Sequence, residues 1–442
     1  MSSPIPTAHA REFAAAADIA GDCYYEHTVE RGPARSALAG TVQVDVGIVG
    51  GGFAGLSAAL ELSARGYSVA LLEAQRIASG ASGRNGGQIL PGFSCDIEVL
   101  ARQLGEGDAR RAWDLSIEGM EIARQRATGL DMDCEYRPGW VLYAARPSHV
   151  AKLRNWHAKL AGALGYGEHV EFVEHEGLAA WTSSQNYHAA LVDHHAGQVN
   201  PLKLALAMAA ACERQGVRIF ENSPVTRIAD GPSPVLATAT GRLECKKVVI
   251  AANVFVADLD VPVRHHVMSI GNRIIATERL RPEVAERLLA RGYAACDTNF
   301  LLDYYRVSSD NRMLWGGAST YLRHDAPHRF AVLRGKMVEA FPELSAVRIE
   351  HAWGGLIDVT MSRAPDFGQL GEDIYYLQGF SGHGLNVTAI AGRLAAEAID
   401  GQRDRFDLIA RIRHRNFPGG ALLRRVGLAL GASYYRLRDV LA

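Results

Sequence analysis

The stretch 45–74, "DVGIVGGGFAGLSAALELSARGYSVALLEA", constrains this chain more than any other. The apolar run Val46–Val49 leads directly into Gly50-x-Gly52-x-x-Gly55, a helical segment opens near Ala54, and "SVALLE" forms a second strand ending on Glu73. Each position has a physical task in a dinucleotide-binding unit. Gly50 permits the tight turn, and Gly52 lets the backbone approach a pyrophosphate. Phe53 and Ala54 open a helix whose free N–H groups and partial positive charge face that group, while Gly55 lets helix and strand pack closely. Glu73, followed by Ala74, is placed to accept both ribose hydroxyls. The same carboxylate disfavours a 2′-phosphate, and hence NADP.

At 442 residues the chain exceeds one typical domain of roughly 100–200 residues. Units of nucleotide-binding type recur along it. "KKVVIAAN" (246–253) reads as a buried parallel strand, and "DIYYLQGFSGHGLNVTAIAGRLAAEAIDG" (373–401) as strand, glycine turn and helix. The intervening segments carry helical periodicity at 100–128, 148–164, 282–291 and 328–341, and a hairpin over 300–317 turning at "SSDN". The expected fold is α/β. A Rossmann-like nucleotide domain is assembled from the discontinuous segments 41–100, 197–260 and 358–401. An inserted α+β substrate domain on an antiparallel sheet comes from 101–196 and 261–357. Residues 1–40 read as an arm lying on the surface, not a core element, and 402–442 as an Arg-rich tail. This interleaving argues against a simple NAD dehydrogenase, whose Gly-rich half continues unbroken.

A formal net charge of −1 gives no electrostatic reason to bind nucleic acid. The six cysteines are scattered without a C-x-x-C pair, as in reduced thiols of a cytosolic protein. No basic-then-apolar leader opens the sequence, and no apolar run approaches the ~20 residues of a membrane span, so a cytoplasmic protein without a transmembrane segment is expected. His194-His195 and His265-His266 alternate faces if they lie on strands, so no metal site is expected from them.

The run from Asp45 to Gln88, with its "GASGRNGGQ" loop, resembles the D-amino-acid-oxidase-like flavoprotein superfamily, and within it the gamma-glutamylputrescine oxidase group. "YYEHT", "WGGLIDVTMSRAPDFG", "YYLQGFSGHGLNVTAIAG" and "YYRLRDVL" are similar to that group as well, so the likeness spans nearly the whole chain. The resemblance implies FAD. It places Ser82 and Gly83 at the phosphates, Arg84 and Asn85 at the flavin ring, and Gly86 and Gly87 where the loop squeezes past it. Val225 would hold adenine through its backbone, although an apolar side chain there equally reads as core. Ala252 would close the buried strand beside the cofactor. Gly382, His383, Gly384 and Leu385 would present a helix N-terminus to the pyrimidine edge of the ring. Relatives with covalent flavin use a late cysteine or a histidine near the glycine loops. Here no cysteine follows Cys296 and no histidine lies in 75–90, so non-covalent FAD is expected.

On the substrate side, Tyr304, Tyr305, Trp315 and Trp353 would form aromatic walls, each of them equally readable as core, and Arg306 could pair with a substrate carboxylate. His383, Tyr305 and Arg84 are the candidates for a direct part in catalysis. The expected activity is oxidation of a small-molecule amine, a gamma-glutamylated or free polyamine or alkylamine, by hydride transfer to flavin N5, with imine hydrolysis to an aldehyde and O2 as acceptor giving H2O2. Relatives that promote the oxygen reaction with a lysine have no counterpart here between 248 and 335, which leaves Arg264, His265, His266 and Arg273 as the nearest cations. Two rivals stand beside this. One is an amino-acid or 2-hydroxy-acid dehydrogenase delivering electrons to a membrane acceptor, with the basic tail 417–441 making weak lipid contact. The other is a flavin-bearing sensor that turns nothing over.

Overall fold

The computed structural model describes residues 16–17, 19–229, 233–299, 301–320 and 328–417. After β1 (Gly21–Asp22), β2 (Gly40–Val49) and β3 (Val69–Leu72) flank helix α1 (Phe53–Ala64). Next come β4 (Gln88–Ile89), α2 (Ile97–Leu104), α3 (Glu106–Gly129), β5 (Arg137–Tyr143), α4 (Pro147–Ala161), β6 (Val170–Val173) and β7 (Ala190–Gln198). Helix α5 (Pro201–Arg214) leads to β8 (Arg218–Phe220), β9 (Arg227–Ala229), β10 (Val235–Ala237) and β11 (Gly241–Ile250). Then follow β12 (Val267–Thr277), α6 (Pro282–Leu288), β13 (Ala294–Asp297), β14 (Tyr304–Val307), β15 (Met313–Thr320), α7 (His328–Ala340) and β16 (Ile349–Thr360). The described chain closes with β17 (Asp366–Leu370), β18 (Ile374–Gln378), α8 (Gly384–Ile399) and α9 (Asp404–Ala410).

These elements form two sheets. The order β17-β18-β11-β2-β3-β8 is parallel from β18 to β8, with β17 antiparallel at one edge. The order β1-β16-β12-β15-β14-β13-β5-β7-β4 is antiparallel apart from the pair β13–β5. This is a Rossmann-like domain assembled from discontinuous segments, with an α+β insertion on a largely antiparallel sheet. The reason is visible in the patterning. β3 is four buried apolar residues in a row, as a strand covered on both faces requires, and α5 begins at Asn200, whose side chain accepts from Lys203 N, followed by Pro201 at its first turn.

Two details differ from the sequence reading. The segment before residue 40 is not merely an arm on the surface. Tyr25 and Leu38 are fully buried, and β1 pairs with β16, so this segment completes the core of both sheets. Helix α3, expected with the insertion, packs along α8 of the parallel-sheet layer, where Gly119 meets the Asn386 backbone. The tail reading over 417–441 lies outside the described residues from 418 onward. Among the described residues no helix is long and apolar enough to cross a membrane.

The antiparallel sheet has two unlike faces. One face packs Tyr305, Trp315 and Ile275 against Leu333, Met337 and Phe341 of α7 and the residue that follows it. The other looks across an open space to the ends of the parallel strands, and that space is the site.

Candidate functional site

A cavity of about 1360 Å³ runs between the two sheets. Ordinary small-molecule sites hold roughly 300–1,000 Å³, so this one has room for a dinucleotide and a second molecule. Its walls are the β2–α1 turn, the loop from Ala78 to Gln88, the turns at 224–226 and 251–253, one face of β12, β14 and β16, and the turn 380–385.

At one end the backbone supplies unused donors. Gly50 has φ +109°, and a Cβ there would stand 2.4 Å from the Ala251 carbonyl. Gly55 makes the closest approach of all, 1.9 Å from a Cβ to the Gly50 carbonyl, which is why it faces the strand and not the cavity. Ser82 Oγ accepts from Phe53 N at 2.9 Å, fastening the loop to the start of α1. The N–H groups of Gly52 and Ala54 line the cavity with no acceptor among the described residues. Glu73 accepts from Gly51 N at 2.7 Å and Gln75 N at 2.9 Å. Burial raises its carboxyl above the usual range, partly opposed by those N–H groups. Ala74 lies beside it on the wall. Val225 belongs to a core cluster and also lines the cavity, and Ala252, packed against the same cluster, lines it too.

The second donor group sits at the head of α8. Asp358 Oδ2 accepts from Gly379 N at 2.6 Å, and its carbonyl accepts from Ser381 N at 2.9 Å. This holds the turn so that the Gly382, Gly384 and Leu385 N–H groups meet no acceptor among the described residues. Burial pushes the Asp358 carboxyl up to about 6. His383 lines the cavity and donates from Nε2 to the Pro91 carbonyl at 3.1 Å. Burial lowers its pKa to about 4, so the ring is neutral.

That depression has a measurable sign. An unfolded histidine protonates near 6.5, whereas folded His383 resists down to about 4, so its contribution to stability is present above 6.5 and lost as pH falls toward 4. Measured by denaturant unfolding of flavin-free protein, the stability of the wild type relative to His383→Gln should decline by up to about 3 kcal/mol between pH 7 and 4.5. A difference that stays flat with pH would show that the folded ring takes up a proton freely.

The loop carries Ser82, Arg84, Asn85, Gly86 and Gly87 onto the cavity wall; Gly83 instead packs against the Ala78 carbonyl. Arg84, expected at the ring, uses Nε on the Ser79 carbonyl and Nη1 on the Ala20 carbonyl, both at 2.8 Å. Its guanidinium therefore ties the loop to the N-terminal segment.

Of the four aromatic candidates, Tyr304 alone faces the cavity. Its ring is pressed between two glycines: a Cβ on Gly86 would come within 2.7 Å of it and one on Gly316 within 2.2 Å. The hydroxyl makes no hydrogen bond among the described residues. Side chains alternate along a strand, so Tyr305 points the other way. There it stacks on Trp315 with ring centres 4.3 Å apart, and its hydroxyl meets that of Tyr187 at 2.6 Å. Tyr305 and Trp315 are thus core residues, which removes Tyr305 from the catalytic candidates. Trp353 is fully buried and donates to the Arg84 carbonyl at 3.0 Å, and Arg306 is buried under the loop with no route to a substrate carboxylate.

Several lining residues were missed. Met268, Ile270, Asn272 and Ile274 face the cavity from β12, a spacing of two that the sequence displays once the strand is accepted. Arg273 lies between them on the opposite face, with its guanidinium 5.9 Å from the Phe330 ring. Asp358, Cys296 and Phe93 gave no local signal. On β7, His194 meets Tyr293 and His195 stacks on His169, on opposite sides of the strand. On the surface, Asp22 accepts from both His27 and His351.

The family profile described as "FAD dependent oxidoreductase" (DAO) matches residues 45–398. The chain is 39% identical over 422 residues to gamma-glutamylputrescine oxidoreductase of Escherichia coli K12, covering 94% of this chain and 97% of that one. It is 34% identical over 400 residues to the probable oxidoreductase OrdL of Haemophilus influenzae, covering 89% and 92%. Among solved structures, glycine oxidase from Geobacillus kaustophilus shares the fold at TM-score 0.68 with 22% identity, covering 81% of this chain and 95% of that one.

Proposed function

This chain belongs to the FAD-dependent oxidoreductase family, and we propose that it oxidises an amine at the carbon next to nitrogen. The substrate class we assign is a gamma-glutamylated or free polyamine or alkylamine. The observation that carries this reading is the continuity of the cavity, from a dinucleotide cradle of unused N–H donors to an apolar wall that carries Tyr304. The extended similarity to the Escherichia coli enzyme supports the substrate class.

The residues fit FAD held without a covalent bond. Gly52, Ala54 and Ser82 would hold the pyrophosphate and Glu73 the ribose. The Pro224–Thr226 backbone would hold the adenine, and Gly382, Gly384 and Leu385 the pyrimidine edge. Two cysteines line the cavity, but burial pushes the Cys95 thiol up to about 12 and the Cys296 thiol higher still, so neither offers a thiolate for attachment. Acid precipitation should release all the yellow colour into the supernatant; colour retained in the pellet would contradict this.

Bound FAD supplies the acceptor for a hydride from the substrate carbon and returns the electrons to O2 as H2O2. The chain supplies the setting. The α8 N-terminus favours negative charge at the pyrimidine edge of the ring. Met268, Ile270 and Ile274 exclude water, and Tyr304 offers a hydroxyl to orient the neutral amine. His383 holds the turn without adding charge. The resulting imine takes up water and leaves as aldehyde and ammonia.

One observation favours the dehydrogenase alternative: the cavity-facing positions of β12 are Met268, Ile270, Asn272 and Ile274, with no cation to promote the oxygen reaction. An anaerobic titration followed by the flavin's visible absorption separates the readings. Bleaching by gamma-glutamylputrescine or a free polyamine, with colour and peroxide returning in air, is the expected result. Bleaching only by amino or hydroxy acids, or a flavin that stays reduced in air, would replace the oxidase with the dehydrogenase. A flavin bleached by none of them would leave only the family.

A further inference from the structure

Three consecutive carbonyls of the loop at the cavity wall are each held by a buried side chain from a distant segment. Trp353 Nε1 donates to the Arg84 carbonyl at 3.0 Å, the Tyr25 hydroxyl to the Asn85 carbonyl at 2.9 Å, and Arg306 Nε to the Gly86 carbonyl at 2.9 Å. The donors are 0%, 0% and 3% exposed, so none of these bonds competes with water. They also brace one another. Arg306 Nη2 donates to the Tyr25 hydroxyl at 3.1 Å, and the Tyr25 and Trp353 rings meet edge-on at 5.4 Å.

Within a planar trans peptide the carbonyl and the following N–H point in opposite directions. Drawing the Arg84 and Asn85 carbonyls into the protein therefore turns the Asn85 and Gly86 N–H groups outward, and these make no hydrogen bond among the described residues. Both residues line the cavity. Arg306 itself does not touch the cavity, yet its charge lies directly behind Gly86. Its hydrogen-bond partners among the described residues are all neutral: the Gly86 carbonyl, the Tyr25 hydroxyl and Gln198 Oε1 at 3.5 Å. Among the described residues no carboxylate lies within ion-pair distance of it. A buried cation without a counter-charge is expensive, and a negative charge brought beside it would offset that cost.

We propose that Arg306 is a redox-positioning residue: its charge, held directly behind the Gly86 backbone, favours the extra negative charge of the reduced flavin and so raises the flavin's reduction potential. The inference rests on FAD binding and not on the amine reading, and its test uses no substrate.

The measurement is the midpoint potential of the flavin in purified holoprotein, together with FAD affinity. Arg306→Met removes the charge, Arg306→Lys keeps it while altering the hydrogen bonds, and Trp353→Phe removes one loop anchor without touching the charge. Arg306→Met should lower the reduced-to-oxidised ratio at fixed potential at least tenfold, which is about 30 mV for a two-electron couple. Arg306→Lys should recover most of that loss, and Trp353→Phe should weaken FAD binding while leaving the potential in place. Gln198→Glu serves where Arg306→Met does not fold. It is nearly isosteric and sets a carboxylate beside the guanidinium, so it should lower the potential in the same direction. If the charge-altering variants that hold flavin keep the wild-type potential, or if Trp353→Phe shifts it as much as they do, Arg306 is only a structural anchor and the proposal fails.

Discussion

Gly55→Val should give a colourless protein. The Cβ it adds would lie 1.9 Å from the Gly50 carbonyl and 3.3 Å from Ile48 Cγ2, both in the strand and turn against which α1 is set. Neither neighbour can give way. One is backbone in a turn that Gly50 enters at φ +109°, the other a fully buried side chain of β2. Helix and strand must separate, at a cost of about 3 kcal/mol for overpacking. The separation also moves the Gly52 and Ala54 N–H groups from where they would meet the pyrophosphate. FAD affinity should fall at least about 100-fold, equivalent to ~2.7 kcal/mol. Visible absorbance per mole of purified protein reads the loss directly. Gly32→Ala, at a position with nothing within 4 Å, is the control that should remain yellow. A yellow Gly55→Val protein of normal stability would mean that the contact between α1 and β2 is looser than the structure shows.

The second large effect separates two neighbouring strand positions. Trp315→Ala should destabilise the protein by about 3–5 kcal/mol, the usual cost of removing a buried tryptophan. The ring is 2% exposed, stacks on Tyr305 and meets Phe341 edge-on at 6.1 Å. Tyr304→Phe should behave in the opposite way. Its hydroxyl has no partner to lose among the described residues, so unfolding should be unchanged, while kcat/KM for the amine should drop about tenfold through loss of one hydrogen bond to substrate. Denaturation curves and steady-state kinetics on the two variants check the pair together. Equal loss of activity from Tyr304→Phe and from a folded Trp315→Ala would mean that both faces of the sheet serve the site.

Those two residues also mark how far the sequence could be read. The glycine motif, the acid after the second strand and the late glycine turn were legible because each meets a local demand: a tight turn, a close approach, a helix start. The family was legible from the same runs. Which of Tyr304 and Tyr305 faces the cavity was not, because alternation gives two faces without saying which is which. The register decides it, by setting Gly316 opposite Tyr304 and Trp315 opposite Tyr305. Glycine opposite a tyrosine leaves room for the ring to lie flat against the sheet, while tryptophan opposite a tyrosine makes a core. Arg306 was misread for a similar reason. An arginine on a strand beside a cavity suggests a substrate carboxylate, and only the fold shows a loop carbonyl covering it. Tyr25 and Leu38 lie in a stretch with no periodicity of its own, and their burial depends on strands that arrive much later in the chain.

That last point bears on how the protein is made. β2, the centre of the parallel sheet, is flanked by β3, which begins 20 residues after it ends, but its other neighbour, β11, pairs Val46 with Lys247. On a ribosome adding ~5–20 residues per second, that edge waits on the order of tens of seconds for its partner. The loop on the cavity wall waits longer still, since Arg306 and Trp353 follow β11. The first strand–helix–strand unit is therefore born with an open apolar edge and an unanchored loop. Pairing across such a separation is slow. The nascent chain should accordingly depend on chaperone shelter until β16 has emerged, and yellow colour should appear only after synthesis has passed that strand.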